Sequence, residues 1–143
     1  MKEISKYKIA IVLLIFSFLG FLDATYLTIK HFNGSSLICN ITSGCNAVLS
    51  SSYSEVFGIP VALGGVFYYL IVFILVIAFL DTKKDNILDL ISKLTIVGLF
   101  ASIYFVYLQV IVLKSICQYC MLSAITSSLL FITGMVYLYK QKK

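Results

Sequence analysis

Four cysteines are the residues of this chain whose types and spacing could do chemistry. Cys39 and Cys45 form a C-x5-C pair, and Cys117 and Cys120 form a C-x-x-C pair at the predicted start of a helix. Residues three positions apart share a helix face, so the sulfurs of Cys117 and Cys120 can approach each other. The free N–H groups and the dipole of a helix start stabilise negative charge, and Ser115 is the predicted N-cap residue. This pattern predicts a reactive thiolate and thiol–disulfide exchange.

The composition is that of a protein surrounded by lipid. Of 143 residues, 61% are apolar and 12% are charged, whereas a soluble domain has about 45–50% apolar and about 25% charged residues. The mean hydropathy of +1.04 agrees with this interpretation. The excess of apolar residues excludes a disordered chain and a free soluble enzyme. The net charge of +5 comes from lysines in short clusters, without any arginine, so no nucleic-acid partner is predicted.

Four apolar segments are each long enough to cross the membrane as a helix, since about 30 Å of hydrocarbon requires about 20 residues. They are residues 9–29, 60–80, 94–113 and 116–138, and Asp23 is the single formally charged residue within them. A segment in lipid must satisfy its own backbone hydrogen bonds, so each one is predicted to be α-helical. The predicted fold is an all-α membrane protein, a bundle of four transmembrane helices in a single domain.

The lysines predict how this bundle is oriented. Cytoplasmic connections of membrane proteins carry an excess of lysine and arginine, and nine of the eleven lysines fall at one end of the predicted spans. Both termini and the 81–93 connection are therefore predicted to be cytoplasmic. Residues 30–59 are predicted to be a long outer loop. The nine are Lys2, Lys6, Lys8, Lys83, Lys84, Lys93, Lys140, Lys142 and Lys143, and the other two are Lys30 and Lys114.

This topology, derived from the lysines alone, places all four cysteines at the outer face of the membrane. In bacteria that face opens on an oxidising compartment, in which disulfides form and persist. Two other interpretations stay open at this point. Two disulfides could staple a structural membrane protein, or the four cysteines could hold a zinc ion, for which C-x5-C is an unusual half-site. A redox-active pair accounts best for a C-x-x-C within a membrane helix, and no metal is expected.

An ordered set of motifs resembles the vitamin K epoxide reductase family in its bacterial form. The loop of Cys39 and Cys45 is followed by a valine, a Ser-x-Tyr and a Phe-Gly-Ile-Pro entry into a helix, and the C-x-x-C pair lies in the last predicted helix. The end of the first predicted helix also resembles the family pattern, so the matching elements span residues 20–125. The individual matching residues are Val48, Ser51, Tyr53, Pro60 and, in the first helix, Ala24, Tyr26, Leu27, Thr28, His31 and Phe32.

The resemblance implies a four-helix bundle around a membrane quinone, in an enzyme that generates disulfides. A reduced thioredoxin-fold protein would pass electrons to Cys39 and Cys45, which would relay them to Cys117 and Cys120. Cys120 would then meet the ring of the quinone, either ubiquinone or menaquinone. Ser51 would lie on a short half-helix that caps this site. The chemistry agrees, because a quinone dissolves in the bilayer and is a stronger oxidant than a dithiol.

Two departures from the family pattern concern the partner and the substrate. Many bacterial members continue into a fused thioredoxin-like domain, whereas this sequence has 23 residues after Cys120. The expected partner is therefore a separate thioredoxin-fold disulfide oxidase outside the cytoplasm, with this protein in the cell membrane. Animal members carry a tyrosine associated with vitamin K binding four residues past the last cysteine, where this chain has Ala124.

Asp23 has three interpretations. An acid within a predicted membrane helix is a functional candidate by default, and it could supply a proton or a hydrogen bond to the quinone. It could instead reach water near the interface or pair with Lys30, seven residues away. Small multidrug transporters also have four helices and an acid in the first, but they need neither four outer cysteines nor a long outer loop. We retain Asp23 as a candidate cofactor-binding residue of a thiol oxidoreductase.

Overall fold

The fold is known from a computed structural model that describes residues 2–34, 38–39 and 44–143. Within these residues, four helices are long and apolar enough to cross a membrane. The predicted fold class, an all-α bundle of four membrane helices, is confirmed. In chain order the elements are α1 (Lys2–Asn33), α2 (Cys45–Leu49), β1 (Glu55–Val56), β2 (Ile59–Pro60), α3 (Val61–Thr82), α4 (Asp85–Tyr107) and α5 (Gln118–Lys142).

The four long helices pack in a ring, in which α1 and α4 each contact both α3 and α5. Glycines allow the close approaches, as is common where helices pack inside a membrane. A Cβ atom on Gly20 of α1 would overlap the ring of Tyr69 on α3. A Cβ atom on Gly134 of α5 would lie 3.0 Å from the Thr95 hydroxyl oxygen on α4. Tyr69 is itself held by its hydroxyl, which donates to the Ser123 carbonyl oxygen at 2.8 Å.

The outer surface of the bundle is apolar. Large hydrophobic side chains stay more than half exposed along the middle of the helices, for example Phe67 on α3 and Phe100 and Ile103 on α4. In water such a surface would drive aggregation, whereas in a bilayer it meets lipid chains. The surface therefore agrees with the membrane solvent that the composition predicts.

Polar contacts join the helices at the end of the bundle that carries the termini. The Lys6 ammonium on α1 forms an ion pair of 2.7 Å with Asp85 at the start of α4. The Lys140 ammonium on α5 donates to the Ser5 hydroxyl at 3.1 Å. Between α3 and α4, Lys83 adopts a left-handed conformation with φ 55°, and its N–H donates to the Phe79 carbonyl oxygen. These contacts place three lysines of the predicted cytoplasmic group at one end.

The connection between α4 and α5 corrects one sequence prediction. The last turn of α4 widens into a π-helical turn at Leu108–Val112. The Ser115 N–H then donates to the Gln109 carbonyl oxygen at 3.0 Å, and Lys114 reverses the chain with φ 49°. The prediction of Ser115 as N-cap of the last helix is therefore wrong, because the Ser115 N–H still bonds to the end of the preceding helix. The N-cap residue is Cys117.

A small hairpin leads from the loop into α3. The strands pair antiparallel with Val56 opposite Ile59, and the two residues between them, Phe57 and Gly58, both have positive φ. Two left-handed residues in a two-residue turn match the twist of a hairpin. The His31 imidazole at the end of α1 lies 2.8 Å from the Glu55 carboxylate, which ties β1 to the bundle.

We expect the substitution Gly20→Ala to destabilise the bundle by about 1–3 kcal/mol, because its methyl group overlaps a Tyr69 ring that cannot move without losing its hydrogen bond. The measurement is the midpoint of thermal unfolding in detergent. Gly64→Ala is the matched control, since its Cβ atom would meet nothing within 4 Å. Equal midpoints for the two variants would contradict the close packing of α1 on α3.

Candidate active site

All four cysteines lie together at one end of the bundle. Cys45 and Cys117 are fully buried in a shared cluster with Leu27, and Cys39 and Cys120 pack against this cluster. Cys39 and Cys45 form a disulfide with a Cα–Cα distance of 6.4 Å, whereas Cys117 and Cys120 are free thiols. The two pairs that the sequence singles out are thus neighbours in space.

The close approach of two backbone segments brings the pairs together. A Cβ atom on Gly44, the residue before α2, would lie 2.7 Å from both the backbone nitrogen and the carbonyl oxygen of Ile116. No side chain fits at this contact, so glycine is required. The segment of the loop that carries Cys45 therefore lies directly on the residue that precedes Cys117.

Gln109 fixes the backbone of Cys117. Its Oε1 atom accepts a hydrogen bond of 3.0 Å from the Cys117 N–H, and the Gln109 side chain is only 2% exposed. This N–H is one of the free donors of a helix start, and leaving it unpaired inside the protein would cost about 1–3 kcal/mol. Sequence reasoning missed Gln109. The available signal is that it is the one amide side chain between residues 94 and 113.

Cys117 is placed to act as a thiolate. As N-cap residue it precedes the span Gln118–Lys142. The hydrogen bond from the Cys120 thiol lowers the pKa of the Cys117 thiol, the backbone N–H groups of Cys120 and Tyr119 lower it further, and burial opposes this effect. The net direction favours the thiolate, and a thiol of low pKa is a good leaving group in disulfide exchange.

An apolar cavity of about 410 Å³ lies next to Cys120. It is a partly open cavity lined by the four long helices, the end of α2 and the turn that follows, and Cys120 lines it whereas Cys117 does not. Its volume and largely apolar wall fit a small ring ligand, since ligand cavities usually measure about 300–1,000 Å³. The apolar lining includes Leu27, Val97, Ala101, Phe105 and Leu113.

Ser51 lies in the cover of this cavity. It lies two residues past the end of α2, as the N-cap residue of the 3-10 turn Ser52–Ser54, and it lines the cavity. Its hydroxyl donates to the Val48 carbonyl oxygen at 2.7 Å, and its own carbonyl oxygen accepts from the Ser54 hydroxyl. The side chain therefore holds the cover together by local hydrogen bonds.

Asp23 lies within electrostatic range of the thiols and does not line the cavity. Its side chain is nearly buried, with 9% exposure, and its Oδ2 atom has no hydrogen-bond partner among the described residues. The carboxylate is near enough to Cys117 and Cys120 for its charge to act on both thiols. The alternative partner Lys30 instead places its ammonium over the Tyr26 ring, 5.7 Å from the centroid.

Known proteins resemble this chain over most of its length. Residues 11–135 match the sequence profile of the Vitamin K epoxide reductase family. Over 118 residues, which are 77% of this chain, the sequence is 35% identical to the thiol-disulfide oxidoreductase LTO1 of Arabidopsis thaliana. The matched part covers 31% of LTO1, so the chain spans about a third of the length of this curated relative.

We expect Gly44→Ala to slow disulfide formation between Cys45 and Cys117 by about 5-fold or more, because the added methyl group separates the two backbones. The measurement is the rate of oxidative cross-linking in a Cys39→Ser, Cys120→Ser background, in which Cys45 and Cys117 are the remaining thiols. Ala47→Ser is the control, since Ala47 is exposed on α2. Unchanged cross-linking in the Gly44 variant would mean that this contact does not control the approach of the pairs.

Proposed function

Because the chain belongs to the vitamin K epoxide reductase family, we propose that it is a membrane thiol oxidoreductase that generates disulfides. In this proposal it takes electrons from a reduced thioredoxin-fold partner and passes them through its two cysteine pairs to a membrane quinone, either ubiquinone or menaquinone. The thiol-disulfide oxidoreductase activity named for the Arabidopsis relative supports the first half of this chemistry.

The observation that carries the proposal is the different surroundings of the two sulfurs in the C-x-x-C pair. Cys117 is buried against Cys45 of the loop pair, and Cys120 lines the apolar cavity among the membrane helices. One turn of helix thus connects a disulfide that is part of the loop to a space that suits a lipid-soluble ring.

The relay balances as a series of exchanges. The partner dithiol reduces the Cys39–Cys45 disulfide and leaves as a disulfide. The Cys45 thiolate then attacks Cys117 in an oxidised Cys117–Cys120 pair, Cys120 leaves as the thiolate, and Cys39 resolves the mixed disulfide. The products are a Cys39–Cys45 disulfide and two thiols at Cys117 and Cys120, the arrangement seen here. The cavity that Cys120 lines would hold the quinone, which would supply the two-electron oxidant for the Cys117 and Cys120 thiols and take up two protons.

Asp23 is proposed to exchange the protons of this step. Oxidation of the Cys117 and Cys120 thiols to a disulfide releases two protons, and quinol formation consumes two. The charge of the carboxyl group acts on both thiols, and its Oδ2 atom has no hydrogen-bond partner among the residues that the structure describes, so this atom can accept a proton and pass it on. Ser51 is proposed to serve the same site indirectly, by keeping the cover over the cavity.

The location follows from the lysines. With both termini and the 81–93 connection on the cytoplasmic side, the cysteine cluster faces the outside of the cell membrane. We propose that the electron donor is a separate thioredoxin-fold disulfide oxidase in that compartment, where disulfides persist.

Replacing each pair in turn should separate the two halves of the relay. We expect Cys117→Ser or Cys120→Ser to reduce quinone reduction to background with every thiol donor, because no route to the cavity remains. Cys39→Ser or Cys45→Ser should abolish oxidation of a thioredoxin-fold protein but spare oxidation of a small dithiol that reaches Cys117 directly. The measurement is quinol formation by purified protein, with both ubiquinone and menaquinone analogues.

In the competing interpretation, the chain is a structural membrane protein whose disulfides only stabilise the fold. This interpretation predicts no quinol formation by the wild-type protein with either analogue, and loss of folded protein in the cysteine variants. That pair of results would replace the redox proposal.

Asp23→Asn should lower the rate of quinone reduction by about 10-fold or more and flatten its dependence on pH, because the amide keeps the size of the acid but cannot exchange the proton. Stopped-flow measurement across a pH series tests this expectation. Asp81→Asn is the control, since Asp81 lies exposed at the other end of the bundle. A changed unfolding midpoint with an unaltered pH profile would assign Asp23 a structural role.

A further inference from the structure

Several of the polar groups that line the cavity are already engaged: the Tyr69 hydroxyl with Ser123, the Ser51 hydroxyl with the Val48 carbonyl oxygen, and Gln109 Oε1 with the Cys117 N–H. The Tyr68 and Ser127 hydroxyls are different, because both oxygens are buried. They lie close enough to interact with each other, but neither is in hydrogen-bond geometry with any group of the described residues. Both residues line the cavity.

Buried hydroxyls without partners require an explanation in this environment. Leaving a hydroxyl unpaired away from water costs about 1–3 kcal/mol, and the hydrocarbon chains of the bilayer have no group that could form the missing hydrogen bond. Ser127 is 3% exposed. Protein interiors normally pair such groups, so two together at one wall of a cavity point to an acceptor supplied by a ligand.

Gly98 brings the two hydroxyls to the same place. A Cβ atom on Gly98 of α4 would overlap the Tyr68 hydroxyl and would lie 2.8 Å from the Ser127 hydroxyl oxygen. Tyr68 from α3 and Ser127 from α5 therefore converge above the backbone of α4. Their oxygens lie close together, so one acceptor atom can receive a hydrogen bond from each.

The distance from Cys120 suits a quinone ring. Ser127 follows Cys120 by seven residues on α5, which is close to two helical turns, so both side chains lie on the same face about 10 Å apart along the axis. This length accommodates a quinone ring that contacts the Cys120 sulfur at one end. At the other end, the far oxygen of the ring would accept a hydrogen bond of about 2.8 Å from Ser127.

We propose that Tyr68 and Ser127 bind the carbonyl oxygen of the quinone that is remote from Cys120. Each hydroxyl donates one hydrogen bond to this oxygen, which has two lone pairs to accept them. The pair fixes the orientation of the ring against the thiol and stabilises the negative charge that the oxygen gains during reduction. This inference rests on the proposed function, because it assumes that the cavity takes a quinone.

Binding of a quinone to the oxidised protein tests the assignment without turnover. Duroquinone is the probe, because its ring is fully methylated and resists addition of thiols, and durene is the hydrocarbon with the same ring but no carbonyl groups. The variants are Tyr68→Phe and Ser127→Ala. The controls are Tyr104→Phe on the exposed face of α4 and Ser128→Ala, whose hydroxyl bonds to the Ala124 carbonyl oxygen.

Equilibrium dialysis in detergent should show duroquinone binding about 3- to 10-fold more weakly to either variant, which is the loss expected for one hydrogen bond. Durene binding should stay unchanged, and both controls should bind both probes as the wild type does. Equal duroquinone affinity in the wild type and both variants would overturn the assignment. Equal weakening for duroquinone and durene would also overturn it, since the residues would then act only through packing.

The two proposals fail in different ways. Absence of duroquinone binding and of quinol formation in the wild type would remove the quinone from the proposed function, and this inference with it. A wild type that binds and reduces duroquinone, with variants that bind it equally well, would remove only the assignment of Tyr68 and Ser127.

Discussion

The contact between the backbones of Gly44 and Ile116 is the constraint on which the site depends. It leaves no room for a Cβ atom, so the loop can reach the start of α5 only through a glycine. That approach buries Cys45 and Cys117 in the same cluster, which excludes water from the sulfurs between which a disulfide would be exchanged. The Gln109 side chain supports the other side of the contact, because it holds the Cys117 N–H from the preceding helix.

The lipid environment explains why unpaired polar groups are informative here. Hydroxyls of the helices usually bond to a carbonyl oxygen one turn earlier, as Thr28, Ser92 and Thr126 do, and this satisfies them without a partner helix. Among the described residues, buried groups without a hydrogen-bond partner belong to Asp23, Tyr68, Ser127 and Tyr137. Tyr68 and Ser127 line the cavity with Cys120, and the charge of Asp23 acts on the thiols, whereas Tyr137 lies near Asp85 and Lys6 at the other end of the bundle. Three of these four groups therefore lie at the proposed site.

Much of the architecture could be predicted from the sequence, because the physics involved is local. Length and hydropathy determine which segments cross the bilayer. The ordered set of motifs around the cysteines and at the end of the first helix carried the family resemblance, which the family comparison confirmed. The role of Ser115 was predicted wrongly, since α4 ends in a π-helical turn and the Ser115 N–H donates to the Gln109 carbonyl oxygen of that turn.

The remaining features of the site depend on tertiary contacts that spacing does not encode. Tyr68 and Ser127 lie 59 positions apart, and they meet only because Gly98 on a third helix leaves room. The sequence does not distinguish Tyr68 from its neighbour Tyr69, or Ser127 from its neighbour Ser128. The hydroxyls of Tyr69 and Ser128, however, have hydrogen-bond partners elsewhere. Only the folded chain distinguishes the satisfied hydroxyl from the unsatisfied one.

A C-x-x-C pair at the start of a membrane helix can place its two sulfurs in two different environments, one polar and one apolar, within one helical turn. Cys117, before the first turn, lies among groups of the loop and at the positive end of the helix dipole, where a thiolate is stabilised. Cys120 lies one turn deeper, where α5 borders the apolar cavity. Disulfide exchange needs an anionic sulfur, whereas the proposed quinone would need a lipid-like surface, and a single cysteine could not occupy both places. Two sulfurs three residues apart satisfy both requirements and still lie close enough to bond to each other.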